Sequence, residues 1–132
     1  MPGEEDAVLA ANAAFYRAFE KRDVAAMEEL WASRSAVACI HPGWAPLFGR
    51  AAVLASWEGI LEGPASPSIG CMEARAHLCG DTSFVVCTER LLEGDLVATN
   101  IFVREDARWK LVHHQAGPAP QSTDPPASGT VH

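Results

Sequence analysis

Apolar positions recur at helical spacing in the first half of the chain and alternate in the second. Val8, Phe15 and Phe19 stand at i, i+7 and i+11, with Ala11 and Ala18 on the same stripe, which predicts a helix over residues 4–21. Glu4, Glu5 and Asp6 suit the positive end of its dipole, and Lys21 and Arg22 the negative end. Asp23 suits an N-cap for a second helix from Val24 to about Ala32, with Val24, Met27, Leu30 and Trp31 on one face. The two helices are nearly continuous, so the chain must bend at Arg22-Asp23. His41, ahead of Pro42, ends a short strand expected at 36–41. A third helix, 49–61, follows Val53, Trp57, Ile60 and Leu61 and stops at Gly63-Pro64.

From Ser66 the pattern becomes that of strands. Runs at 69–79, 82–93, 96–104 and 108–115 are separated by turn signals at Gly80-Asp81, Gly94-Asp95 and Asp106-Ala107. Helices first and strands later is an α+β order, with the helices on one face of an antiparallel meander. The chain after Gln115 is rich in proline and serine. The expected organisation is one domain over 1–118 and a tail over 119–132, disordered from about Gln121.

Two-residue turns fix which side chains share a face. With those turns Arg104 opposes Trp109, Phe102 opposes Leu111 and Asn100 opposes His113; Glu89 opposes Asn100, and Met72 opposes Glu89. One face is then apolar, with Met72, Leu78, Cys87, Phe102 and Leu111, apart from a row Glu89–Asn100–His113. The other face mixes Arg75, Arg90 and His114 with Phe84, Ile101 and Val112, which suits solvent or a subunit contact. A β-bulge would reverse the parity and bring Arg90 and His114 inside. A carboxyl, an amide and an imidazole in an apolar cavity cost roughly 1–3 kcal/mol each if unpartnered. They satisfy one another, hold water or hold a ligand. Burial moves a glutamate pKa up and an imidazole pKa down, which is how acid–base sites are tuned.

Charge narrows the partners. A net charge of −7 and a pI near 5.1 disfavour nucleic acid and anionic membrane. No run approaches the ~18 apolar residues of a membrane helix, and the start of the chain is acidic where a signal peptide is basic. A cytoplasmic location is expected, with Cys39, Cys71, Cys79 and Cys87 reduced. No CxxC spacing occurs, and consecutive His113 and His114 point to opposite faces of a strand. Neither a metal nor a cofactor is expected.

Several stretches carry a family resemblance: FEKRDVAAMEELWA, CIHPGWAPLFGRAAVLASWEGIL and ATNIFVREDARWKLVHHQAGPAP. Over about residues 4–118 the chain resembles the NTF2-like superfamily, in particular its SnoaL-like branch. The resemblance implies a cone-shaped barrel, with three N-terminal helices packed on a strongly curved, mainly antiparallel sheet, and a homodimer through the outer sheet face. The association domain of calcium/calmodulin-dependent kinase II is similar at the last two strands. There, a basic pocket residue falls where this chain has Asn100. Ketosteroid isomerases of the superfamily use a first-helix tyrosine, which Tyr16 matches. Their base falls near residues 36–41, where this chain has Cys39 and His41 and no carboxylate. Ala107 stands where the family's hairpin carries glycine, at little cost if the turn is type I.

Two functions stay open. One is binding of a small hydrophobic carbonyl compound, with cofactor-independent isomerase, dehydratase or cyclase chemistry. His41 or His113 would move the proton and Glu89 would tune it. Asn100 or Tyr16 would hold a substrate oxygen, and Trp31, Trp44, Trp57, Phe102 and Met72 would line the pocket. Each of these also has a bland reading: Tyr16 as a boundary residue, Trp57 as core, Trp44 as a plug rather than a lid. The other function is a non-catalytic dimerisation or ligand-binding module.

Overall fold

A computed structural model describes residues 3–120. The expected disorder from about Gln121 lies outside the described residues. The elements run α1 (Glu4–Lys21), α2 (Val24–Leu30), β1 (Ala38–Ile40), β2 (Leu47–Phe48), α3 (Arg50–Glu62), β3 (Gly70–Cys79), β4 (Thr82–Leu91), β5 (Gly94–Glu105) and β6 (Arg108–Pro118). The six strands form one sheet in the order β2-β1-β6-β5-β4-β3. All pairings are antiparallel except β1 with β6. The sheet curls without closing, and α1 lies in its concave side against β3, β4 and β6. This is the cone that the family resemblance implied, with the three helices packed on it.

The bend after α1 falls at the expected place. Arg22 takes a left-handed conformation (φ 54°, ψ 43°), and the Asp23 N–H reaches back to Ala18 O at 2.9 Å. The Asp23 carboxylate then accepts from Ala26 N–H at 3.0 Å and starts α2. Leaving α2, Trp31 is already extended and bridges in parallel to Leu111. The buried Glu105 carboxylate fixes this exit, accepting from Ser33 N–H, Arg34 N–H and Ser35 Oγ–H. Between the concave face and the helices lie Phe15, Phe102, Leu111 and Trp57, all almost fully buried.

Register corrects the sequence reading at four places. The β4–β5 turn is Leu92-Glu93, because Leu91 pairs with Gly94, so Glu89 opposes Leu96 and Asn100 opposes Val85. The shift is four residues in all, an even number, and both side chains stay on the inner face. On β3 a bulge between Met72 and Arg75, with Glu73 at φ 57°, places Cys71 beside Glu89 and turns Met72 outward. On β6 the pairing runs as expected from Glu105 to Phe102, which opposes Leu111. It then slips, so that Ile101 opposes His113 and Asn100 opposes His114. At the Asp106-Ala107 turn both residues have positive φ (54° and 65°), which makes it type I′ rather than type I. Leu78 has the inward parity but is 45% exposed on the last turn of its hairpin.

Candidate functional site

The site grows from one face of α1. Asn12 and Tyr16 are four residues apart, on the buried stripe that carries Val8, Phe15 and Phe19. The Tyr16 hydroxyl donates to Glu89 Oε2 at 2.6 Å and lies 3.4 Å from Cys87 Sγ. Asn100 Nδ2 donates one N–H to Asn12 Oδ1 at 2.8 Å and the other to the Tyr16 hydroxyl oxygen at 3.1 Å. With both amide protons used, Asn100 Oδ1 is an acceptor, and His114 Nδ1 donates to it at 2.6 Å. His114 Nε2 therefore carries the lone pair, and it stands 3.8 Å from Glu89 Oε2. Asn12 Nδ2 completes the network on Cys71 Sγ at 3.6 Å.

Burial disfavours charge in this cluster. It raises the Glu89 carboxyl above its ordinary 4.5, opposed by the Tyr16 hydrogen bond. It lowers His114 to about 3, helped by repulsion from two neighbouring imidazoles, His41 and His113. Both shifts disfavour an ion pair between Glu89 and His114. The Tyr16 hydroxyl and the Cys87 thiol are both driven far above their ordinary values, Tyr16 chiefly by burial and Cys87 by the adjoining Cys71 thiol and burial. Neither ionises at neutral pH.

His41 forms a second station. Ser56 Oγ–H donates to Val53 O at 2.7 Å, so its oxygen accepts from His41 Nε2–H at 2.8 Å. The ring is packed edge-on between Trp44 and Trp57, at 4.7 and 4.8 Å between centroids, and burial lowers its pKa to about 4. Cys39 Sγ lies 3.7 Å from His41 Nε2, and burial pushes that thiol up to about 12.

Both stations open on one cleft of about 480 Å³. Its polar lining is His41, Ser66, Glu89 and His114, and its walls include Phe19, Trp44, Trp57, Ile60, Leu91 and Leu96. Among the described residues no lysine or arginine lines it. One rim is the loop 63–67, tied to α1 by Arg22 donating to Ser66 O at 3.2 Å. Just beyond, Ile69 N–H donates to the Glu20 carboxylate at 2.8 Å.

The expected site residues divide on this geometry. Glu89, His41, Trp44 and Trp57 line the cleft; Tyr16 and Asn100 stand behind Glu89 and His114 and hold them. Trp31 and Phe102 are core, and the Trp31 indole N–H has no hydrogen-bond partner among the described residues. Met72 is 39% exposed and outside the site, because the β3 bulge reverses it. His113 is displaced likewise: the β6 bulge turns it to the outer face, and His114 takes the inner position. The alternative parity thus holds for His114 but not for Arg90, which is exposed and paired to Asp95 at 3.1 Å. The sequence reading missed Asn12, whose signal is an amide on an apolar helical stripe, and Ser56, which has no sequence signal of its own.

The sequence profile of the SnoaL-like domain matches residues 8–120. The chain belongs to the SnoaL-like domain family. Its fold is that of the NTF2-like superfamily, and solved structures agree. A candidate dehydratase of the NTF2-like family from Streptomyces avermitilis is 33% identical. The likeness covers 89% of this chain and 97% of that one, with a TM-score of 0.82. A candidate calcium/calmodulin-dependent protein kinase type II association domain from Thiobacillus denitrificans is 34% identical over 85% of this chain and 94% of that one, with a TM-score of 0.75. Among curated proteins, F-box protein SKIP8 from Arabidopsis thaliana is 26% identical over 112 residues, or 83% of this chain. The SnoaL-like chain spans 48% of the length of that relative. Among the described residues no helix is long and apolar enough to cross a membrane.

Proposed function

We propose that this SnoaL-like domain binds a small, uncharged, largely apolar carbonyl compound in the cleft and catalyses proton transfer on it. The observation that carries the reading is the meeting of Glu89 and His114 at the cleft, each held from behind by one network through Tyr16 and Asn100. A cleft of this size falls in the usual range for small-molecule sites, roughly 300–1,000 Å³. As the neutral acid, Glu89 gives its proton to the carbonyl oxygen. His114 Nε2 takes a proton from the adjacent carbon, and the C–H electron pair becomes the enol double bond. The uncharged pair becomes an ion pair, and the return of both protons resets it. Isomerisation and dehydration both begin with this step, and the Streptomyces avermitilis relative, named as a candidate dehydratase, supports it. The four cysteines all stand as free thiols, which supports a reducing, cytoplasmic setting.

The test is a thermal-shift screen of neutral bicyclic ketones followed by deuterium exchange at the α-carbon. Hits whose exchange is lost in Glu89→Gln and weakened in His114→Gln support the reading. A screen without hits removes it.

A second reading, a dimerisation module acting through the outer sheet face, has its own support. Val97 is 43% exposed on that face, and the Thiobacillus denitrificans relative is named as an association domain. Stable interfaces bury ~800 Å² per partner. Sedimentation equilibrium of the chain and of Val97→Lys tests it: a dimer that the lysine breaks is the expected result, and a monomer at all concentrations removes it.

A further inference from the structure

We infer that Cys71 and Cys87 form a hydroperoxide-responsive thiol pair that closes to a disulfide between β3 and β4. The pair acts independently of any ligand in the cleft.

Register brings the two thiols together. Cys71 opposes Glu89, and Cys87 lies two residues from Glu89 on the same inner face of β4, opposite the bulge between Met72 and Arg75. Both sulfurs meet side chains one turn apart on α1. Asn12 Nδ2 donates to Cys71 Sγ at 3.6 Å, and the Tyr16 hydroxyl lies 3.4 Å from Cys87 Sγ. A surface hollow lined by Glu73, Ala74 and Arg75 reaches Cys87 over the bulge. The two thiols differ in environment. Cys71 is half-buried, and hydrogen bonds from the Cys87 S–H and from Asn12 hold its pKa below the ordinary value, against the effect of burial. Cys87 is buried, and its bond to Cys71 together with burial keeps its proton in place. Cys71 is thus the thiolate that meets a hydroperoxide, and Cys87 is the thiol beside it. The Cys71 sulfur attacks the peroxide, the O–O bond breaks, hydroxide leaves, and a sulfenic acid remains. The Cys87 sulfur then attacks that of Cys71, the S–O bond breaks, and water leaves with the Cys87 proton. Two thiols and one hydrogen peroxide give one disulfide and two waters. Diagonal same-face positions on paired strands lie roughly 7–8 Å apart, and a disulfide needs Cα atoms within about 6.8 Å. Closure therefore draws the strands together by about an ångström. β3 has that freedom, as the edge strand of the sheet, broken by a bulge with Glu73 at φ 57°.

Tryptic mapping without reductant, after hydrogen peroxide at neutral pH, tests this on the full chain carrying Cys79→Ser. That background is chosen because Cys79 is exposed and shares a tryptic peptide with Cys87. The expected product is a cross-link between Cys71 and Cys87 within one chain, two hydrogens lighter than the separate peptides and reversed by dithiothreitol. Cys39, buried and with its thiol pushed up to about 12, should stay unmodified. Thiols titrated in denaturant should fall from three, the four cysteines less Cys79, to one. Adding Cys87→Ser should leave Cys71 as a sulfenic acid that dimedone traps, and adding Cys71→Ser should leave Cys87 a free thiol. The map of the Cys79→Ser chain decides the matter even if neither further variant folds. Oxidation of Cys71 to a sulfinic or sulfonic acid in that chain, a cross-link joining two chains, or three intact thiols after excess peroxide would each overturn the pair.

Discussion

His114 Nε2 stands 3.8 Å from Glu89 Oε2, yet the two groups are held apart in charge as well as in distance. Burial lowers the imidazole and raises the carboxyl, so no proton passes between them at rest. Stability should follow pH in two opposed windows. The histidines have folded pKa values depressed from 6.5 to about 4 for His41 and about 3 for His114. The unfolded chain therefore binds more protons below 6.5, and stability falls as pH drops from 6.5 towards 3. Glu89 is raised, so the folded state binds the extra proton, and stability falls as pH rises from 4.5 through the folded value. Thermal unfolding measured from pH 4 to 9 should show stability rising towards pH 6.5 with the two histidines, less the part that Glu89 takes back above pH 4.5. Glu89→Gln should gain on the wild type as pH rises, and a constant difference between the two would refute this assignment.

Tyr16→Phe should cost roughly 1–3 kcal/mol, because it strips Glu89 of its donor and Asn100 of an acceptor in a buried setting. It also removes the one influence that lowers the Glu89 pKa. Urea unfolding gives the cost, and pH-dependent unfolding should show the Glu89 window moved upward. A change within 0.5 kcal/mol would mean that water replaces the hydroxyl.

Helix positions, the bend at Arg22 and the inner face of β4 and β5 were all legible, because each follows from periodicity or a local cap. Bulges were not. The slip on β6 inserts one residue between Leu111 and His114, and both registers bury an imidazole, so hydrophobic pattern alone could not choose between them. The four-residue shift at the β4–β5 turn left Glu89 and Asn100 facing inward because parity depends only on whether a shift is odd or even. Ser56 meets His41 only through tertiary packing of α3 on β1, which no local pattern reports.

The bulge makes adjacent histidines unequal. His114→Ala removes a fully buried ring and its bond to Asn100, and should cost 2 kcal/mol or more, roughly, from cavity and unpaired amide together. His113→Ala, on the outer face, should stay within about 1 kcal/mol. Equal effects in denaturant unfolding would argue for the unslipped register, in which residue 113 faces the helices.

Ala107 carries strain that glycine would relieve. Its φ of 65° lies in the left-handed region, where a Cβ crowds the neighbouring carbonyl, and the preceding Asp106 shares that conformation at 54°. Asp106 has compensation, since Arg34 grips its carboxylate through two nitrogens at 2.9 and 3.1 Å. The methyl of Ala107 has none. Ala107→Gly should therefore stabilise the protein by about 1 kcal/mol, the strain relieved exceeding the added flexibility of the unfolded chain. The unfolding midpoint in urea should rise with no change in slope. A midpoint that falls would mean that the hairpin relaxes away from type I′ and that the slip on β6 is not anchored by its turn.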